Sequence, residues 1–121
     1  MTARIRRFLA ETQPATPCLI VDLDVVEQNY QDLKRALPHA TIYYAMKANP
    51  APEILRLLAG LGSSFDAASI YEIRDVLAAG ATPDRISFGN TIKKQSDIAA
   101  AHALGIRLYA FDSEAELQKL A

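Results

Sequence analysis

The chain has 121 residues, half of them hydrophobic and 22% charged, and its formal net charge is -1. That composition bounds it to about one ordinary globular domain and excludes a disordered chain, or one that gathers nucleic acid or anionic membrane by bulk charge. Its one cysteine, Cys18, rules out an internal disulfide and fits a reducing, cytoplasmic setting. His39 and His102 lie too far apart for a metal-ligand spacing, so no metal site is expected.

Residues 1–17 read as a lead-in, because Pro14 and Pro17 break helices and favour extended backbone. Arg4, Arg6 and Arg7 have no long apolar run after them, so this start is not read as a secretory signal. The lack of an acid before Glu11 is compatible with a transit peptide. Residues 18–121 form the domain proper. Cys18-Leu19-Ile20-Val21 is apolar and of strand type, with Cys18 expected to be buried and inert. Asp24, with Glu27 three residues on, is placed to cap a helix whose Val26, Tyr30, Leu33 and Leu37 share a face and which Pro38 ends.

From there one unit recurs. Thr41–Met46 is a strand, and Pro52 opens a helix with Ile54, Leu57, Leu58 and Leu61 on one face, closed by Gly60 and Gly62. Ser64–Ala67 is the next strand. Ser69 and Glu72 form a capping box, Ile73, Val76 and Leu77 the apolar stripe, and Gly80 the stop. Arg85–Phe88 is a third strand, followed by a helix from about Lys94 to Leu104. Arg107–Phe111 is a fourth, followed by a helix that Ser113 and Glu116 start. Ile42, Phe65, Ile86 and Leu108 stand at matching places, at intervals of about 22 residues. Regular βα repetition predicts parallel strands with helical crossovers, an α/β fold, and the near-constant period favours the N-terminal half (about four βα units) of a TIM-type (β/α)8 barrel over the alternative of an open doubly wound sheet. Such a barrel needs eight strands and about 250 residues, so the chain is expected to be the amino-terminal piece of a longer protein, or to need a partner that completes the sheet, and to be inactive alone.

In a barrel the strand ends carry the chemistry, and here those ends bear Lys47, Asp66, Asn90 and Asp112. Lys47 closes an apolar strand, where an amine is a candidate to hold an aldehyde cofactor or else a cation that snorkels to water. Alternation puts Tyr43 and Ala45 on its side and turns Tyr44 and Met46 toward the helices. Asp66 and Glu72 could act on a nearby amine, or could serve only as a loop acceptor and a helix cap. Lys93 and Lys94 read as solvated residues at a helix start, and Asn90 as a turn former. There is no glycine-rich phosphate loop.

The run Tyr44-Ala45-Met46-Lys47-Ala48-Asn49 resembles the cofactor-lysine signature of the fold-type III pyridoxal-phosphate decarboxylases. Gly62–Ser69 with Glu72-Ile73, Arg85–Asn90 with Lys93, and Phe111–Glu114 with Glu116-Leu117 resemble that family's next segments in the right order. Within the family they look most like the ornithine or ornithine/lysine decarboxylases, with the diaminopimelate decarboxylases next. Met46 departs mildly, standing where the family often has valine. The resemblance implies pyridoxal 5′-phosphate on Lys47, with Asp66 and Glu72 near it, and decarboxylation of a basic amino acid such as ornithine. It further implies a homodimer when complete, with no nucleic-acid or membrane partner. Some relatives are non-catalytic decoys that bind a protein. The family's phosphate loop, its remaining site residues and its β-domain are not in this sequence.

Overall fold

The structure is a computed structural model that describes residues 1–121. Its centre is a sheet of four parallel strands in the order of the chain: β1 (Tyr43–Ala45), β2 (Ser64–Ala67), β3 (Ile86–Phe88) and β4 (Leu108–Tyr109). Helices α1 (Ala3–Thr12) and α2 (Leu23–Ala36) precede β1, and α3 (Pro52–Gly60), α4 (Ile70–Ala78) and α5 (Gln95–Ala103) connect successive strands. Helix α6 (Glu114–Leu120) follows β4. Helices α2 to α6 pack in chain order, each against the next.

Two rows of residues give the sheet two unlike faces. Tyr44, Phe65 and Ile86 are register partners across β1–β3, and Phe65 and Ile86 are fully buried under the helices. Phe88 pairs with Tyr109 on the same side. These residues join Met46, Ile54, Leu55, Leu58, Ile73, Val76 and Ile106 in one apolar core of 16 buried residues. Tyr44 and Phe65 meet edge to face, with ring centroids 6.3 Å apart. The opposite row is Ala45–Asp66–Ser87–Leu108, small or polar over its first three members and not sealed by any helix. Each helix must return to a strand within a few residues, and a left-handed glycine makes the turn. Gly80 has φ 100° after α4, and the same device follows α3 and α5.

Several expectations are corrected. The lead-in holds a helix, α1: Ala, Arg, Leu and Glu dominate it, Thr2 caps it through a hydrogen bond from the Ile5 amide, and the prolines fall after its end. Cys18–Val21 is not a strand. It has no neighbouring strand to pair with, so apolar alternation alone does not order it, and Cys18 and Leu19 are exposed. Asp22, not Asp24, caps α2, accepting from the Asp24 amide; the Glu27 carboxylate instead accepts from the Gln31 side chain. The α3 stripe is Ile54, Leu55, Leu58 and Ala59, because the helix is flanked by α2 and α4 as well as the sheet. Phe65 and Ile86 do pair, but Tyr44, not Ile42, is their β1 partner, and Leu108 pairs with Ser87. That one-residue slip puts Leu108 on the inner face, half exposed, and gives its core place to Tyr109.

Asp22 ties two helix starts together. Its carboxylate caps α2, accepts the Thr2 hydroxyl at 3.0 Å and pairs with Arg4, which also reaches Asp24. Asp22→Ala should therefore lower stability by about 1 kcal/mol in urea unfolding, while Asp24→Ala, at an exposed position, should cost only a few tenths.

Candidate active site

Strand β1 stops at Ala45, and Met46–Ala48 form one tight 3₁₀ turn. Met46 is driven fully into the core, so the next side chain, Lys47, is left on the open side. The segment behind it is pinned: the Tyr44 hydroxyl donates to the Asn49 carbonyl at 3.0 Å, and Asn49 Oδ1 accepts from the Ala51 amide at 3.1 Å. Burial pushes the Tyr44 hydroxyl above its usual range, opposed by that bond, so it stays a protonated donor at neutral pH. Lys47 makes no hydrogen bond or ion pair of its own. It opens onto a cavity of about 150 Å³ shared with Ala45, Asp66, Ala68, Glu72, Gly89 and Asn90.

The two carboxylates in that cavity are held, not loose. Asp66 Oδ1 accepts the Ser87 hydroxyl from the neighbouring strand, its register partner. Gly89 makes room for it: a Cβ at position 89 would lie 1.9 Å from Asp66 Oδ1. Glu72 is fixed from behind. Ser69 accepts from the Glu72 amide at 3.2 Å, and Glu72 Oε2 accepts from the Ala68 amide at 2.6 Å. The expected capping box thus reaches back one residue further than anticipated, and Glu72 also lines the cavity. Lys47, Asp66 and Glu72 are brought together, with Asn90 beside them. Asp112 is exposed and does not line the cavity. Ser87 and Gly89 were not singled out from sequence. Only knowledge of the register, which places Ser87 opposite Asp66, would have found them.

A larger groove of about 450 Å³ lies between α2 and the β1 edge. Its lining is almost wholly apolar and its only titratable groups are tyrosines, so it can bury surface but offers no charge or nucleophile for chemistry.

Lys93 overturns its expected role as a solvated residue. Its side chain is wholly buried, its Nζ 2.9 Å from Glu116 Oε1. Glu116, also buried, accepts the Lys93 amide at 3.0 Å and pairs with Lys119. The Lys119 hydrogen bond draws the Glu116 carboxyl below its usual range. Burial opposes this, and Lys93 adds to the lowering. Sequence distance hid the pairing, since Glu116 lies 23 residues from Lys93.

Residues 23–121 match the family model for the pyridoxal binding domain of pyridoxal-dependent decarboxylases. The chain belongs to that family. It is 45% identical over 115 residues to the lysine/ornithine decarboxylase of Selenomonas ruminantium, covering 95% of this chain and 29% of that protein. It is 44% identical over 104 residues to the chloroplastic ornithine decarboxylase of Nicotiana glauca, covering 86% and 24%. The crystal structure of lysine/ornithine decarboxylase from Vibrio vulnificus complexed with putrescine superposes with a TM-score of 0.85 at 35% identity, over 96% of this chain and 31% of that one. The four βα units are accordingly the N-terminal portion of a decarboxylase barrel, and the chain spans between about a quarter and a third of the length of these relatives.

Two substitutions probe this pyridoxal-binding domain. Gly89→Ala should push the Asp66 carboxylate away from Ser87 and cost about 1–3 kcal/mol in urea unfolding, a loss that Asp66→Ala in the same chain should partly relieve. The depressed Glu116 carboxyl stabilises the fold fully above the unfolded value of about 4.3, and that stabilisation is lost as pH falls through the lower folded value. Glu116→Gln should then be less stable than the parent at about pH 7. The two unfolding midpoints should draw together as the pH falls below the unfolded carboxyl value and through the lower folded one.

Proposed function

We propose that this chain is the lysine-bearing part of a pyridoxal-phosphate-dependent decarboxylase of basic amino acids, with ornithine as its substrate and the diamine putrescine as product. The observation that carries this is the Lys47 amine, bound to nothing, opening onto one cavity with Asp66 and Glu72. The residues fit the group. An unpartnered primary amine is what covalent capture of an aldehyde requires. Gly89 lets the backbone of β3 come close to the same wall, and the two fixed carboxylates present negative charge to cationic groups. When bound, the cofactor supplies an electron sink for the pair left by departing CO2. Lys47 would hold it, and Asp66 and Glu72 would orient the amine that approaches it.

Lysine is the second reading, favoured by the 45% identity to an enzyme named for both substrates. The activity is that of the longer polypeptide, working as a homodimer. A cytoplasmic location belongs to the same reading, in keeping with the free thiol of Cys18.

The test uses the full-length protein. After incubation with pyridoxal phosphate and reduction by borohydride, peptide mass mapping should find the label on Lys47. Lys47→Ala should lose the visible absorbance of the bound cofactor and cut decarboxylation of ornithine by roughly 10³-fold. Label confined to another lysine, or full turnover by the alanine variant, would remove the assignment.

A further inference from the structure

Lys93 lies outside the cavity and the function proposed above does not use it, yet it is the most deeply buried cation of the chain. Its ammonium has three N–H donors, and all are spent: on Glu116 Oε1 at 2.9 Å, on the Asn90 carbonyl at 2.9 Å and on the Ala110 carbonyl at 2.6 Å. The two carbonyls belong to the chain just beyond the ends of β3 and β4. The last rung between these strands runs from the Ala110 amide to the Phe88 carbonyl at 3.0 Å. In a parallel ladder the next rung would join the Asn90 amide to the Ala110 carbonyl. That rung is not formed, and Lys93 Nζ takes the Ala110 carbonyl in its place.

The substitution matters because of Asn90. It lines the Lys47 cavity and is exposed, and its carbonyl bond to Lys93 is the only hydrogen bond it makes. Lys93 is itself fixed at three points: Glu116 accepts its amide, Lys119 donates to its carbonyl at 2.5 Å, and Glu116 holds its ammonium. Stability alone does not account for such a group, since a buried ion pair is often replaced by apolar residues at no cost. Geometry does, because no apolar side chain can bridge two carbonyls.

We propose that Lys93 is a positioning residue for the cofactor cavity: its buried ammonium stands in for the missing rung between β3 and β4 and so fixes Asn90 at the cavity wall. The cofactor part of this rests on the function proposed above; the clamp itself does not.

Two variants of the full-length protein test it, Lys93→Met and Lys93→Met/Glu116→Gln. The second removes both buried charges while Gln keeps an acceptor for the residue 93 amide, so it restores stability without restoring the clamp. In both, hydrogen exchange at the Gly89 and Ala110 amides, the last rungs before the rim, should quicken about 10-fold relative to the core amide of Phe65. Pyridoxal phosphate should bind about 10-fold more weakly in equilibrium dialysis. If the double variant regains both protection and cofactor affinity, Lys93 serves stability alone and the proposal is overturned. Exchange that rises in neither variant overturns it as well, whether or not the cofactor binds. A parent protein that takes up no pyridoxal phosphate would sink the function proposed above, while the exchange at Gly89 and Ala110 would still decide the clamp.

Discussion

The constraint on which the rest depends is the shared register of short parallel strands. Strand side chains alternate, so fixing Phe65 opposite Tyr44 and Ile86 also fixes Asp66 opposite Ala45 and Ser87. One face then carries the aromatic and branched residues that the helices bury. The other must carry whatever remains, and here that is a small residue, a carboxylate and a hydroxyl. The core and the cavity are two readings of one alignment. A slip that would strip the helices of Phe65 would at the same moment turn Asp66 into the core, where an unpaired carboxylate is costly. Burial of the outer row therefore holds the inner row in place.

Much of this was open to inspection in the sequence. The recurring βα unit, the helix stops and the side to which Lys47 turns follow from alternation and from glycine and serine at the ends of elements. Met46 confirms the last point: it is fully buried where the sequence places it, which leaves Lys47 outward. What escaped inspection shares a physical cause. Leu108 was matched to Ile86 by spacing, but spacing counts loop residues as well as strand residues, and a single extra one reverses the face. Cys18–Val21 has the composition of a strand but no partner, and a strand is a pairing before it is a composition. The Asp22–Thr2–Arg4 cluster and the Lys93–Glu116 pair join residues 18 to 23 positions apart, beyond any local pattern.

The site residues differ in the same way. Asp66 and Glu72 were recognisable as carboxylates near Lys47, and each was equally readable as ordinary structure. The fold gives each a structural hydrogen bond and also places both at the wall of the Lys47 cavity. Glu72 commits one oxygen to the Ala68 amide and Asp66 one to Ser87, and these bonds hold the carboxylates still at the cavity. A structural hydrogen bond is no argument against a site role when it uses only part of a group's capacity.

The lysines make the final distinction. The chain has five, and their partners differ. Lys119 is engaged with Glu116, Lys34 lies over the Tyr30 ring, and Lys94 is exposed at the start of α5 with no wall around it. Lys93 has the deepest burial, but its three donors are already directed at three acceptors, which leaves no free direction for a carbonyl carbon to approach. Lys47 alone combines an amine with no hydrogen-bond partner and a walled cavity bearing carboxylates. Burial by itself would point to Lys93, whose donors are already engaged. A lysine that is to act as a nucleophile needs an unsatisfied valence facing a shaped space, and the fold leaves such an amine at Lys47 while engaging that of Lys93.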